Sequence, residues 1–198
     1  ARSFDINKPG ITPEKLVGGV LGGSLKQGIF KVGDIIEIKP GRSVIEKNQQ
    51  VWKPLTTRIT SLNSGSHDLE SVGPGGSIGV LTSLDPSIVK SDQLTGSLVG
   101  VPGKLPKIWL ELVLDVHLLQ RVVGTQEELN VEPIKMSEPL MLNVNSAATV
   151  GIVVVLRKNK IKCRLRLPVC ADAGSRVTIS RRIGNRFRLI GYGEIFEK

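Results

Sequence analysis

Cysteine, histidine and aromatic residues are scarce in this chain, and each shortage closes off a class of function. Cys163 and Cys170 are the only thiols in 198 residues. Their spacing is not Cys-x-x-Cys, and no second pair exists to complete a zinc site. His67 and His117 lie far from them in sequence, so no metal centre is expected. Two buried free thiols fit a reducing compartment, and a cytoplasmic location is the expectation. No run approaches the roughly 20 apolar residues of a membrane span, and no signal peptide is recognisable, so no membrane partner is expected. The chain opens at Ala1 without an initiator methionine, as an excised fragment or processed product would.

Catalytic signatures are equally sparse. The glycine pairs between Gly18 and Gly23 are not followed by Gly-Lys-Ser/Thr or by a helix, so they do not make a phosphate loop. Bulges and close backbone approach in a barrel account for them better. There is no His-Glu-x-x-His and no Gly-x-Ser-x-Gly. Asp115 and His117 share a strand face but have no serine or cysteine beside them. The chain is therefore not expected to be an enzyme.

What is present is Val, Ile and Leu in short runs, punctuated by 22 glycines and 11 prolines. A β-branched, aliphatic core favours strands. Gly33-Asp34 turns into a strand at Ile35–Lys39, and Pro40-Gly41 is expected to stop it. The polar stretch Arg42 to Gln50 reads as an exposed loop. Further strands are predicted from Trp52 to Leu62, at Ile78–Leu81 and at Leu98–Val101. Val101-Pro-Gly-Lys-Leu-Pro106 is the best linker in the chain. Beyond it come Ile108–Leu114, Leu140–Val144, Val150–Leu156, Ile161–Leu167, Val177–Ser180 and Arg186–Ile190. A polar interval at Thr125–Asn130 has room for a single helical turn. Turns every 8–12 residues or so, with no helix long enough for a crossover, predict an all-β protein of two consecutive antiparallel β-barrels. The expected domains are 1–101 and 107–198, with a linker at 102–106.

Charge is distributed unevenly. Residues 1–156 carry 15 Lys/Arg and 15 Asp/Glu, while the last 42 residues carry 12 against 3, which is the whole net charge of +9. A local excess of this kind points to a polyanion such as nucleic acid. In Ile161-Lys-Cys-Arg-Leu-Arg-Leu167 the period is strictly two. Ile161, Cys163, Leu165 and Leu167 are expected inside, with Lys162, Arg164 and Arg166 outside. By the same alternation Phe187 and Leu189 pack inward and Arg186 and Arg188 face out. Together with Arg181 and Arg182 these cations form a candidate RNA-facing wall. The competing reading is a protein-interaction scaffold whose basic surface merely keeps it soluble.

Four stretches, taken together, carry a resemblance: Arg2-Ser-Phe-Asp-Ile-Asn-Lys-Pro-Gly10; Val17-Gly-Gly-Val-Leu-Gly-Gly23 with Lys31-Val-Gly-Asp34; Pro74-Gly-Gly-Ser-Ile-Gly-Val80; and Ile179-Ser-Arg-Arg182 with Arg188-Leu-Ile-Gly191. Over essentially its whole length the chain resembles the second and third domains of the gamma-subunit family of archaeal and eukaryotic translation initiation factor 2, relatives of elongation factor Tu. The short loops resemble the archaeal branch. The resemblance implies a subunit of a heterotrimer that carries methionyl initiator tRNA to the small ribosomal subunit. In that family GTP and magnesium belong to an amino-terminal GTPase domain, whose motifs are absent from these residues, so no cofactor is expected here.

The resemblance also implies site residues. The aminoacylated 3′ end of the tRNA would meet Phe4 and the strand end Gly79, Val80, Leu81 and Thr82, with Phe4 available to stack on a base or to close the barrel core. Docking of the alpha subunit would fall on two loops, Arg42–Lys53 and Asn63–Ser71, through Arg42, Lys47, Trp52, Lys53, His67 and Asp68. Two residues depart from the family pattern: Leu81 and Asn145 stand where glycines are usual.

Overall fold

The computed structural model describes residues 1–124 and 129–197. Most of the Thr125–Asn130 interval therefore lies outside the described residues; the flanking Arg121 and Asn130 form an isolated bridge. Strand is the dominant element of the described chain, which forms two compact units, Ala1–Leu105 and Pro106–Lys198. The expected all-β, two-unit architecture is what forms.

In the first unit the strands are β1 (Arg2–Phe4), β2 (Val20–Leu25), β3 (Phe30–Lys31), β4 (Ile35–Glu46), β5 (Gln49–Ser64), β6 (His67–Leu69), β7 (Ser71–Val72), β8 (Gly75–Thr82) and β9 (Leu98–Gly100). A seven-stranded antiparallel sheet runs β1-β2-β8-β5-β4-β9, with β6 paired to β5 and β3 paired only to β7. The sheet curls until its two ends meet: the Ala1 amino group donates to Ser97 O at 2.5 Å and Gly96 N donates to Ala1 O at 3.0 Å. Inside the curl, Leu21, Ile38, Ile59, Leu62 and Val80 are buried, each contributing roughly 1.5–3 kcal/mol.

Glycine is required where the curl is tightest. A Cβ on Gly18 would stand 1.8 Å from Thr82 O, and one on Gly19 would stand 2.5 Å from a Val89 methyl. A single four-residue helix, α1 (Pro86–Val89), follows β8; Asp85 caps it by accepting from Ser87 N at 2.8 Å, and Pro86 supplies the first turn.

Pro40-Gly41 does not stop β4, contrary to the sequence reading. The ladder to β5 shifts register between Ile38 and Arg42 and then resumes. Gly41, at φ 83, passes so close to β5 that a Cβ there would stand 1.9 Å from Lys53 O. The expected loop at 42–50 is consequently a β-ribbon. Lys47 and Asn48, at φ 49 and 61, form the two-residue turn at its tip, the left-handed pair that matches strand twist.

The second unit is a closed six-stranded barrel, β10 (Ile108–Leu118), β13 (Lys160–Cys170), β12 (Ala147–Arg157), β11 (Pro139–Val144), β14 (Arg176–Ile183) and β15 (Arg186–Ile195), all antiparallel. Leu112, Leu140, Leu142, Val153, Ile179 and Ile190 are completely buried in it. Asn145 occupies the β11–β12 turn at φ 52, a left-handed position that glycine favours and asparagine tolerates.

Candidate functional site

Each group of sequence-predicted residues takes a definite place. On the first unit, strand register sorts the β1-β2-β8 patch into inner and outer rows. Ser3, Leu21 and Val80 lie opposite one another and are buried. The flanking outer rows are Phe4–Val20–Leu81 and Arg2–Gly22–Gly79. Phe4 is 45% exposed, so it does not close the core. Its ring edge would be 3.0 Å from a Cβ on Gly22, so the aromatic ring rests on a strand stripped of side chains. Phe4, Gly79 and Leu81 thus share one outer face, a glycine shelf edged by apolar groups. Leu81 adds to that edge.

Val80 and Thr82 belong to the interior. The Thr82 hydroxyl donates to Gly19 O at 2.7 Å and accepts from Leu84 N at 3.2 Å. Both of its bonds hold the β2–β8 end together, so its side chain is not available to a ligand. The sequence offered no sign of Gly22 as a partner of Phe4; only the register brings them together.

The six docking candidates separate. Arg42, Lys47, Trp52 and Lys53 sit on the β4–β5 ribbon, where Lys53 pairs with Glu46. Trp52 is half-buried and is not in the core. With Arg42, Ser43, Ile88, Gln93 and Leu94 it lines a groove of about 480 Å³, and Ile45 near the ribbon tip is 81% exposed. His67 and Asp68 are instead on β6, at the other end of β5, where Asn63 bonds to Asp68. Along an extended strand that separation reaches roughly 35 Å, so the two groups do not form one patch. Ile88 and Gln93 lie in and after the helical segment, which the sequence reading did not recognise. The Asp85-Pro86-Ser87 cap was the available signal.

On the second unit the basic wall is not one surface. Lys162 and Arg164 do point outward from β13, but both turn to Glu111 of β10, at 2.6 and 3.5 Å. Their charge holds the Glu111 carboxyl below its ordinary range, chiefly through the bond from Lys162. Arg166 is exposed on the same strand.

The remaining four cations lie on the β14–β15 hairpin. β13 and this hairpin flank β10 on opposite sides. Arg164 is level with Glu111, near the start of β10, whereas the hairpin tip extends beyond Leu118 at its end. The two sets therefore occupy opposite ends of the barrel.

Within the hairpin, the expected availability of Arg181 is corrected. It stands in the inner row with Ile179, opposite Leu140. There its guanidinium forks onto both Glu138 oxygens, at 2.5 and 3.2 Å, and onto the carbonyls of Glu132 and Pro133. Arg188 lies opposite Arg181, is half-buried, and packs against Gly124. Arg182 and Arg186 are exposed.

Three inward predictions also fail. Phe187 is 41% exposed and Leu167 is 46% exposed, and Leu189 lies in the outer row with Phe187, opposite Ser180, and is half-buried. A register shift between Ile179 and Ser180 leaves Ile190 as an extra buried residue and reverses the alternation towards the hairpin tip. A larger irregularity opposite Trp109–Glu111 does the same to Leu167.

The other chemistry-bearing residues are occupied. His117 stacks on Tyr192 at 5.0 Å, and the Arg176 guanidinium lies 4.5 Å from the other ring. Both thiols are buried and form no disulfide; Cys170 donates to Pro106 O at 3.1 Å, and burial pushes the Cys163 pKa up to about 12, so Cys163 is not a nucleophile at neutral pH.

Comparison with known proteins gives these features a context. Residues 110–195 match the family model described as "Initiation factor eIF2 gamma, C terminal". The chain is 57% identical over 196 residues to the translation initiation factor 2 subunit gamma of Pyrococcus furiosus, covering 99% of this chain and 48% of that protein. The corresponding protein of Methanocaldococcus jannaschii is 56% identical over 195 residues, 98% of this chain and 47% of the relative. The chain spans about half the length of the curated relatives it matches.

Proposed function

Because the chain belongs to the gamma-subunit family of translation initiation factor 2, we propose that it supplies the β units with which such a factor holds the aminoacyl end of methionyl initiator tRNA, docks the alpha subunit and meets the small ribosomal subunit. The observation that carries the role in translation initiation is the match along 99% of the chain at 57% identity. On this reading guanine nucleotide and magnesium are held outside these residues, and the chain itself is not catalytic.

The geometry supports a division of labour. Gly79 lets a ligand approach the backbone closely, and the exposed Phe4, resting on Gly22 in the same outer row, offers a π-face to an unpaired terminal base. The groove at Trp52 suits an anchoring side chain from a protein partner. Tryptophan and arginine are the residues that most often dominate such interfaces. Here Arg42 lies beside it and Ile45 projects from the ribbon. Of the two docking groups, the ribbon is therefore the better supported.

The test is co-elution of the 198-residue chain with the alpha subunit of an archaeal factor on size exclusion, with Trp52→Ala and His67→Ala compared. The expected result is a complex that survives His67→Ala and weakens at least tenfold with Trp52→Ala. Absence of a complex, or equal indifference to both substitutions, contradicts the docking assignment.

A further inference from the structure

We propose that the tip of the β14–β15 hairpin is a binding site for single-stranded RNA, in which Phe187 stacks on an unpaired base while Arg182 and Arg186 hold the adjoining phosphates. This deepens the RNA reading of the second unit, on which it rests.

Three observations converge on the tip. The first is the exposure of Phe187, an aromatic ring that the bulge at Ile190 turns out of the core. A large apolar ring held outward at the end of a rigid ribbon loses hydrophobic stabilisation unless something covers it. The second is the company it keeps. Phe187 lies directly opposite Arg182 on the same face of the ribbon, while Arg186, its neighbour in sequence, stands in the other row opposite Ile183, exposed at the turn. The third is the absence of competition: the segment from Arg181 to Ile190 contains no acidic residue. Among the described residues, neither Arg182 nor Arg186 has a carboxylate within ion-pairing distance, in contrast to Lys162 and Arg164, which share Glu111, and to Arg181, which is spent on Glu138.

The tip is also positioned rather than loose. The two-residue turn has Gly184 at φ 59 in its first position, the residue type that a tight hairpin of this hand demands. Arg182 Nε donates to Gly184 O at 3.2 Å across that turn, and among the described residues neither terminal nitrogen of its guanidinium has a protein acceptor, so both remain for a phosphate fork.

Chemistry selects the ligand. Cations alone bind any polyanion, duplex or single strand, and their effect is read as salt dependence. An aromatic face adds affinity only where a base is unstacked, because a base within an A-form helix offers its face to its neighbours. A ring with two flanking guanidinium groups therefore favours a single-stranded segment, such as a loop or an end, without a preference for sequence.

The experiment measures binding of the 198-residue chain to three fluorescent probes across a salt series: a short oligoadenylate, a short A-form RNA duplex and polyglutamate. Phe187→Ala is expected to weaken oligoadenylate binding roughly five- to a hundredfold, to leave duplex and polyglutamate binding within twofold, and to leave the salt slope unchanged. Phe187→Trp should retain single-strand affinity, which separates stacking from damage to the hairpin. The double variant Arg182→Ala/Arg186→Ala should lower the slope for both RNAs.

If Phe187→Ala binds oligoadenylate as the unsubstituted chain does, or weakens all three probes alike, the stacking site is refuted while RNA binding stands. If the unsubstituted chain binds neither RNA in a salt-sensitive way, the RNA reading of this unit falls, and the stacking site with it.

Discussion

The two units solve the same folding problem and are left with opposite surfaces. The first, residues 1–105, has 12 Lys/Arg and 9 Asp/Glu; the second, residues 106–198, has 15 and 9. In the first the sheet curls, and glycines at Gly18, Gly19 and Gly41 let its strands approach without side chains between them. The by-product is an outer face where Gly79 leaves backbone open to close approach and an aromatic ring rests on Gly22. In the second, six strands close completely, the ladder satisfies the backbone, and the outside carries cations. Charge count does not tell which of those cations are available. Arg181 is consumed in the structure, Lys162 and Arg164 share one carboxylate, and Arg182 and Arg186 have none among the described residues.

The sharpest way to break that distinction is to remove neighbouring arginines. Arg181 and Glu138 have side chains only 16% and 14% exposed. Deleting one member of so sheltered a pair leaves the other unpaired, so Arg181→Ala is expected to cost the second unit about 3 kcal/mol in urea unfolding. Arg182→Ala should cost no more than ~0.5 kcal/mol. Similar losses for both would show that exposure does not separate their roles.

This difference was not legible in the sequence, where Arg181 and Arg182 are adjacent and identical in type. Most strand positions and the two-unit, all-β plan could be read because they depend on local signals: turn residues and period-two hydrophobicity. The interior placement of Cys163 and Leu165 followed from the same period. The failures at Phe187 and Leu167 come from bulges, which shift that period by one residue and are fixed by the neighbouring strand. Likewise Pro40-Gly41 looked like a stop, but the partner strand carries β4 past it. The Phe4–Gly22 contact joins residues on separate strands and needed the register.

The matching test in the first unit concerns Thr82, whose side chain the resemblance placed at the tRNA end and whose hydroxyl the structure uses internally. Thr82→Val keeps the shape and leaves the Leu84 amide without its acceptor, while the Gly19 carbonyl keeps only the bond from the residue 82 backbone N–H. It should lower stability by about 2 kcal/mol in chemical unfolding. An unchanged unfolding midpoint would return Thr82 to the list of ligand contacts.

A smaller effect marks the interior of the second unit. Burial raises the Cys163 pKa to about 12 in the folded protein, whereas a thiol in the unfolded chain titrates near roughly 8.5. Between those values the unfolded state gives up its proton and the folded state keeps it, so the thiol's contribution to stability falls as pH rises from about 9 to 12 and is constant below about 8. In unfolding curves at stepped pH, Cys163→Val should flatten part of that decline. Parallel curves for the two proteins would mean that the thiol is not sheltered.

The most direct measurement of the central claim, that Arg182 and Arg186 at the hairpin tip are more available to RNA than the Glu111-bound pair Lys162 and Arg164, is the slope of RNA affinity against salt. The account predicts that Arg182→Ala/Arg186→Ala lowers the slope for a single strand by up to about 1.4, two phosphate contacts at roughly 0.7 each, and that Lys162→Ala/Arg164→Ala, which also frees Glu111, lowers it by clearly less. A larger loss from the β13 pair than from the hairpin pair would contradict the account.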